Sequence, residues 1–128
     1  MRPDFVYASG DVSLRPRDMA KLGQLYLQDG VWDGERVLPS EWVEATASPY
    51  FTFTNPRHGH QGYSYGWWPM TEAYGAGAFA ASGWGEQAII VVPEFDMVAA
   101  FTGGSYWDAP LMTYDQMMRR YVLPAINQ

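Results

Sequence analysis

The sequence contains no cysteine, and Lys21 is its only lysine. Without cysteine the chain has neither a disulfide framework nor thiol chemistry, and its cellular compartment stays open. A net charge of −6 and a pI near 4.6 argue against nucleic acid or an anionic membrane surface as a partner. The chain has no apolar run of about 18 residues and no charged-then-apolar leader at Met1, so we expect no membrane span and no signal peptide in it.

The composition and length of the chain predict one globular domain over residues 1–128. Hydrophobic residues make up 48% of the chain and aromatic residues 16%, a composition that excludes a disordered tail. A chain of 128 residues is long enough to bury one modest core.

The fold prediction depends most on residues 79–102. This stretch reads as three consecutive β-segments, of which Ala88–Val92 and Met97–Phe101 are apolar at nearly every position, as in strands covered on both faces. The break between these two, Pro93-Glu94-Phe95-Asp96, is a turn, because proline presets φ and aspartate bonds its own backbone. The first segment ends at Ser82-Gly83, where a glycine lets the backbone approach a neighbouring segment or a ligand.

The rest of the chain reads as helices and short strands. Apolar residues at three- and four-residue spacing predict an amphipathic helix that starts near Ser13 or Pro16 and ends near Gln28. We therefore predict an α+β fold, in which an antiparallel sheet of three to four strands carries flanking helices. The other predicted elements are a hairpin at 31–38 turning at Asp33-Gly34, a helix from 39 with Ser40 as its N-cap, a loop at 47–60, a strand at 62–68 and a helix at 110–122.

His58-Gly59-His60 is the pattern that suggests a metal site. A two-histidine site needs at least one more ligand held nearby, and the spacing supplies none. We therefore interpret both histidines as solvated loop residues, and the sequence predicts no metal and no cofactor.

Four segments, in the correct order, carry a resemblance to a known family. They are residues 14–27, 30–39 and 65–68 and the stretch Ala81-Ser82-Gly83-Trp84. Together they resemble the C-terminal part of the serine β-lactamase-like hydrolases, which include class C β-lactamases, related esterases and amide hydrolases, and penicillin-binding-protein relatives. The resemblance covers nearly the whole chain and implies a partial β-lactamase/transpeptidase-like fold.

The resemblance also implies a candidate cleft. Ala81, Ser82 and Gly83 fall on the family's Lys/His-Ser/Thr-Gly motif, so Ser82 would line the cleft and Gly83 would allow close approach. Trp84 falls on the next position, whose backbone N–H supplies half of the oxyanion hole. Because Ala81 departs from the Lys/His form, an ester or amide without a carboxylate fits better than a β-lactam. The alternative for Ser82-Gly83 is a strand end under tight packing.

Three further residues are implied as possible walls of this cleft: Trp67, Glu86 and Tyr106. Glu86 stands where relatives often have glycine, and an acid beside the oxyanion position would alter or block the site. For the aromatic rings the alternative is ordinary core packing.

Two motifs of the family are missing from the sequence. No serine is followed three residues later by a lysine, and neither Asn55 nor Asn127 has a tyrosine two residues before it. The resemblance therefore implies the C-terminal portion of a serine hydrolase that is inactive alone. Its partners would be the missing N-terminal portion or a second copy of itself, and it would take a small ester or amide substrate only once complemented. The alternative is a non-catalytic binding domain that uses exposed aromatic residues.

Overall fold

A computed structural model describes residues 12–55, 58–106 and 112–126 of the chain. The strands are β1 (Val31–Trp32), β2 (Glu35–Arg36), β3 (Phe51–Asn55), β4 (His60–Tyr63), β5 (Trp68–Pro69), β6 (Phe79–Gly83), β7 (Gln87–Val92) and β8 (Met97–Phe101). The helices are α1 (Pro16–Leu27), α2 (Ser40–Ala47), α3 (Thr71–Tyr74), α4 (Tyr114–Met117) and α5 (Leu123–Ile126), with a 3-10 turn at Pro93–Phe95 and a π-helical segment at Met118–Val122.

A four-stranded antiparallel sheet, in the order β5-β6-β7-β8, forms the centre of the fold. β7 is buried on both faces: Ile89 and Val91 pack towards α1, and Ala88, Ile90 and Val92 pack towards α3 and the C-terminal helices. Because successive strand residues face opposite sides, a nearly continuous apolar run is what such a strand requires. The predicted fold class, α+β with a three- to four-stranded antiparallel sheet and flanking helices, is confirmed.

The two hairpins predicted from turn residues are present. Asp33 and Gly34 both have positive φ, 51° and 81°, as the tight turn between β1 and β2 requires. Between β7 and β8, Pro93 opens the 3-10 turn, and Asp96 closes it in the left-handed conformation. α1 begins at Pro16 as expected, because proline is accepted in a first helical turn.

Three predictions for the middle of the chain are wrong. Residues 51–55, expected in a loop, form β3 and pair with β4. The expected strand at 62–68 is broken, because Tyr65 and Gly66 turn with φ of 47° and 92° between β4 and β5. The N-cap of α2 is also Pro39 and not Ser40, whose hydroxyl instead donates to the Asp29 carboxylate at 2.6 Å.

The C-terminal helix widens into its π-helical segment just before a proline. The N–H of Leu123 bonds the carbonyl of Met118, five residues back. Pro124 provides a physical reason, because its ring would crowd the carbonyl four residues earlier in a regular α-helix. The predicted start of this helix at Pro110 lies outside the described residues, as do Met1–Asp11 and residues 107 and 108 of the preceding loop. Within the described part of the chain, none of the helices combines the length and the apolar character that crossing a bilayer needs.

Candidate functional site

The β6–β7 turn, made of Trp84, Gly85 and Glu86, lies where the sequence places the cleft. Gly83 pairs with Gln87 across the hairpin, so three residues join the strands. Gly85 and Glu86 both have positive φ, 98° and 71°. Glycine adopts such angles without strain, whereas glutamate seldom does.

The loop after β8 packs against one side of this turn. The indole Nε1–H of Trp84 donates to the backbone carbonyl of Tyr106 at 2.8 Å, although the Trp84 side chain is otherwise exposed. The amide of Gln87 donates to the Tyr106 hydroxyl at 2.9 Å. Gly103 is in such close contact that an added Cβ would meet the carbonyl oxygen of Gly85. The turn and this loop therefore form one packed unit.

Glu86 extends from the turn into the protein and is only 9% exposed. Its Oε2 accepts the backbone N–H of Tyr114, the first residue of α4, at 3.2 Å. Its Oε1 lies 3.8 Å from Nε2 of His58. The carboxylate thus contacts the start of α4 and a histidine.

His60 is buried beneath the end of β6, at 3% exposure. Its Nε2 shares a hydrogen bond of 2.7 Å with the Tyr114 hydroxyl and lies 3.5 Å from Oγ of Ser82. Its ring stacks on Trp68 with centroids 4.5 Å apart. The expectation that both histidines are solvated is wrong, because β3 and β4 form a hairpin that carries this segment against the sheet and α4.

Burial determines the charge state of His60. Loss of solvation, with the neighbouring His58 imidazole as the second cause, lowers the pKa of His60 from 6.5 to about 4, and the Asp115 carboxylate opposes this shift. Among the described residues no hydrogen-bond partner reaches its buried Nδ1. The ring is therefore neutral at physiological pH.

A stack of rings and a second polar group continue from His60 along α4. The His58 ring lies 4.9 Å from the Tyr114 ring and 5.5 Å from the His60 ring. One helical position further, Asp115 accepts the Tyr74 hydroxyl at 2.8 Å and the Arg119 guanidinium at 3.0 Å. Burial, followed by the hydrogen bond to Asp115, raises the pKa of the Tyr74 hydroxyl far above its ordinary value. Within residues 12–55, 58–106 and 112–126, no trio of His, Asp or Glu side chains is placed to hold a metal ion.

The structure brings most of the predicted site residues together. Ser82 and Gly83 end β6, Trp84 and Glu86 form the turn, and Tyr106 packs on it. Trp67 lies elsewhere: at 5% exposure it packs against Tyr26 and Phe79 in the core beneath α1, and not at the rim of the turn where a cleft wall was expected. Ala81 faces the same core.

Sequence reasoning missed His60 and Tyr114. The signal for His60 was available in Phe51-Thr-Phe-Thr, whose alternation of aromatic and β-branched residues is typical of a strand and would have placed the histidines in a hairpin. Tyr114 gave no comparable signal, since it reads as one more apolar residue on a helix face.

A separate surface exposes several aromatic rings around an open cavity of about 470 Å³. Trp42 and Tyr65 are in ring contact at 4.9 Å, and Tyr50 and Phe51 at 4.8 Å. All four side chains are exposed, and they belong to α2, the strands β3 and β4 or their connections. We call this the aromatic surface.

Comparison with solved structures finds similar proteins. No family model and no curated protein matches the chain. A solved structure from Bacillus anthracis, described as a "putative 6-aminohexanoate-dimer hydrolase", matches 88% of this chain with a TM-score of 0.61 and 26% sequence identity. The chain spans only 28% of the length of that protein. The similarity supports the resemblance to serine β-lactamase-like hydrolases and a hydrolase-like origin for this fold.

Proposed function

We propose that this chain is the C-terminal portion of a serine hydrolase that acts on esters or amides. The observation that carries the proposal is the β6–β7 turn, which follows a strand ending in Ser82-Gly83 and is held by packing on two sides. The likeness to the B. anthracis protein over 88% of the chain supports it. An N-terminal portion would supply the nucleophilic serine, its lysine and a tyrosine.

In such a hydrolase the backbone N–H of Trp84 is one donor to the carbonyl oxygen under attack. The serine oxygen of the partner portion bonds to the carbonyl carbon, and the carbonyl π electrons move to oxygen, where preorganised N–H donors stabilise the negative charge. The lysine and tyrosine accept the serine proton. As the oxyanion reforms the carbonyl, the bond from the carbonyl carbon to the leaving oxygen or nitrogen breaks, and the same pair returns a proton to the leaving alcohol or amine. Water then hydrolyses the acyl-enzyme.

Substrate preference follows from the strand. Ala81 carries no charge where the resemblance implies a lysine or histidine, so nothing at that position would pair with a substrate carboxylate. We propose an ester or amide that has no carboxylate beside the scissile group. The name of the B. anthracis protein refers to a dimer of 6-aminohexanoate, an amide whose carboxylate lies at the far end of an alkyl chain from the amide nitrogen, and this dimer serves as the first amide to test.

Complementation tests this proposal. The chain is co-expressed with an N-terminal portion of a β-lactamase-like hydrolase that carries Ser-x-x-Lys, and the complex is assayed with p-nitrophenyl acetate and with the 6-aminohexanoate dimer. We expect turnover by the complex and none by either part. The positive control is the same N-terminal portion reunited with its own C-terminal part.

A pair of substitutions at Trp84 isolates the backbone donor. Trp84→Pro removes the N–H, and we expect kcat of the complex to fall by about 10²- to 10³-fold. Trp84→Ala keeps the N–H and is the matched control, with an expected loss below about tenfold. A complex that forms but hydrolyses neither substrate, or equal activity in both variants, would overturn the assignment.

The aromatic surface favours a second candidate, a non-catalytic domain that binds sugars or peptides. Exposed rings with adjacent hydroxyl groups provide apolar stacking and hydrogen bonds together. Saturable quenching of tryptophan fluorescence by oligosaccharides, abolished in Trp42→Ala and retained in Trp84→Ala, would favour this candidate. Quenching that both variants retain equally would exclude the aromatic surface as the binding site.

A further inference from the structure

We propose that Glu86 is a positioning residue that, together with Ser82, anchors the segment Gly83–Gly85 from both ends. The anchoring fixes the direction of the Trp84 N–H, so its catalytic consequence rests on the function proposed above. Neither side chain needs to touch the substrate for this role.

The Glu86 anchor is defined by two contacts on different elements. The carboxylate accepts the N–H of Tyr114 at the start of α4 and lies 3.8 Å from the His58 imidazole, which precedes β4. The glutamate is 9% exposed, so water competes little for these contacts. The hydrogen bond therefore ties the end of the turn to α4, and the His58 contact places it against the connection between β3 and β4.

The Ser82 anchor reaches the same residues from the other end of the segment. Oγ of Ser82 is 3.5 Å from Nε2 of His60, which shares its 2.7 Å hydrogen bond with the Tyr114 hydroxyl. Tyr114 thus bonds the Glu86 carboxylate through its backbone and His60 through its side chain. Ser82 is therefore connected to Tyr114 through His60, and Glu86 bonds Tyr114 directly. Both ends of the three-residue segment Gly83–Gly85 are linked to the same residue.

The backbone angle of Glu86 supports the anchoring role. Its φ of 71° belongs to the region that glycine occupies freely and that glutamate disfavours. A glutamate persists there when the surroundings hold it, and the contacts of its carboxylate provide that hold. Replacement of Glu86 by glycine relieves the backbone strain and removes the carboxylate contacts. This variant therefore separates the effect of strain from the effect of anchoring.

Three substitutions test the proposal in the isolated chain by ¹⁵N relaxation. In the wild type we expect backbone order parameters of about 0.85 at Trp84 and Gly85, and we expect values below about 0.6 in Glu86→Ala and Glu86→Gly. Glu86→Gln keeps the acceptor and the side-chain shape, and its values should lie between these. We expect the glycine variant to be more stable to heat than the alanine variant, yet as mobile at Trp84.

Glu94 supplies a matched control. Its carboxylate accepts the backbone N–H of Ala76 at 2.7 Å and so anchors a different turn. Glu94→Ala should lower the order parameter of Ala76 and leave Trp84 unchanged. Order parameters at Trp84 and Gly85 that stay at the wild-type value in both Glu86→Ala and Glu86→Gly would overturn the proposal.

The complemented hydrolase tests the catalytic consequence separately. There we expect Glu86→Ala to lower kcat at least tenfold with KM within about threefold, and Glu86→Gln to restore part of the loss. Wild-type complexes without activity would refute the proposed function, while the relaxation data would still decide whether Glu86 anchors the turn. An active complex whose kcat is insensitive to Glu86→Ala would refute the positioning role.

Discussion

At the scale of single residues, the chemistry of the candidate site depends on which polar groups are buried and what they contact. The sequence predicts that Glu86 alters or blocks a cleft, whereas in the structure its carboxylate contacts the Tyr114 N–H and His58. His60 was expected in solvent, but it lies against Trp68 and Tyr114. Both differences come from contacts between residues far apart in the chain, which local sequence patterns do not encode.

His60 makes the stability of the fold depend on pH. Its pKa is about 4 in the folded protein and 6.5 as the ordinary value, so between these pH values the unfolded state binds more protons. The unfolding free energy that His60 contributes by being buried in its neutral form is therefore fully present above pH 6.5. It is lost as the pH falls towards 4, and its magnitude is on the order of 3 kcal/mol. Urea unfolding at pH 7, 5.5 and 4.5 measures it.

The control for that measurement is His60→Gln, which removes the titrating group. The difference in unfolding free energy between wild type and variant should shrink as the pH falls through this window. An imidazole of His60 that titrates near 6.5 by NMR, or a difference that stays constant with pH, would contradict the burial argument.

At the scale of elements, the sequence was most informative where one strong local signal defined the structure. The apolar runs of β7 and β8, the Asp33-Gly34 turn and Pro16 at the start of α1 were all predicted. The break at Tyr65-Gly66 was not, because a non-glycine residue at positive φ has no reliable sequence signature. β3 is not predicted because Pro49 and Pro56 on either side of it indicate a loop, although the residues between them alternate as in a strand.

Close packing of α1 on the sheet gives an element-scale prediction at Gly23. A Cβ added there would lie 2.5 Å from Cγ1 of Val98 and 2.9 Å from Cγ2 of Ile89, so the helix would have to move away from β7 and β8. We expect Gly23→Ala to lower the unfolding free energy by about 1–2 kcal/mol, even though alanine favours helix by about 1 kcal/mol. Chemical denaturation measures the change.

Gly104→Ala is the matched control, because a Cβ at that position meets nothing within 4 Å. Its effect should stay within about 0.5 kcal/mol. If Gly23→Ala were as stable as wild type or more so, the helix-to-sheet contact would be looser than the structure indicates.

At the scale of the whole molecule, the feature that bears on partners is the outer edge of the central sheet. In the described part of the chain no strand pairs with the outer edge of β8, and β8 carries neither a charge nor a proline. Uncharged edge strands of this kind pair readily with other chains. We therefore propose that a second copy, or the N-terminal portion of a complete hydrolase, covers this edge.

Sedimentation velocity tests the proposed self-association. We expect the isolated chain to sediment as a concentration-dependent mixture of monomer and dimer, and a complementing N-terminal portion to convert the dimer into a one-to-one complex. A chain that remains monomeric at high micromolar concentration would exclude the second copy as a partner.

We propose that this chain carries half of a hydrolase site and no competent nucleophile. Ser82 lies beside the His60 imidazole. However, Nε2 of His60 is engaged with the Tyr114 hydroxyl, and a pKa of about 4 makes His60 a weak base. Lys21, the only lysine in the sequence, is ion-paired with Asp18 on α1.

The decisive measurement is the intact mass of the chain after incubation with a serine-reactive fluorophosphonate. The folded chain, checked by circular dichroism, should show no stoichiometric adduct, while a complemented complex should gain one adduct on the serine of the N-terminal portion. A single stoichiometric adduct on the isolated chain, mapped to Ser82 or to any other serine, would show that the chain builds a nucleophile of its own and would refute the half-site proposal.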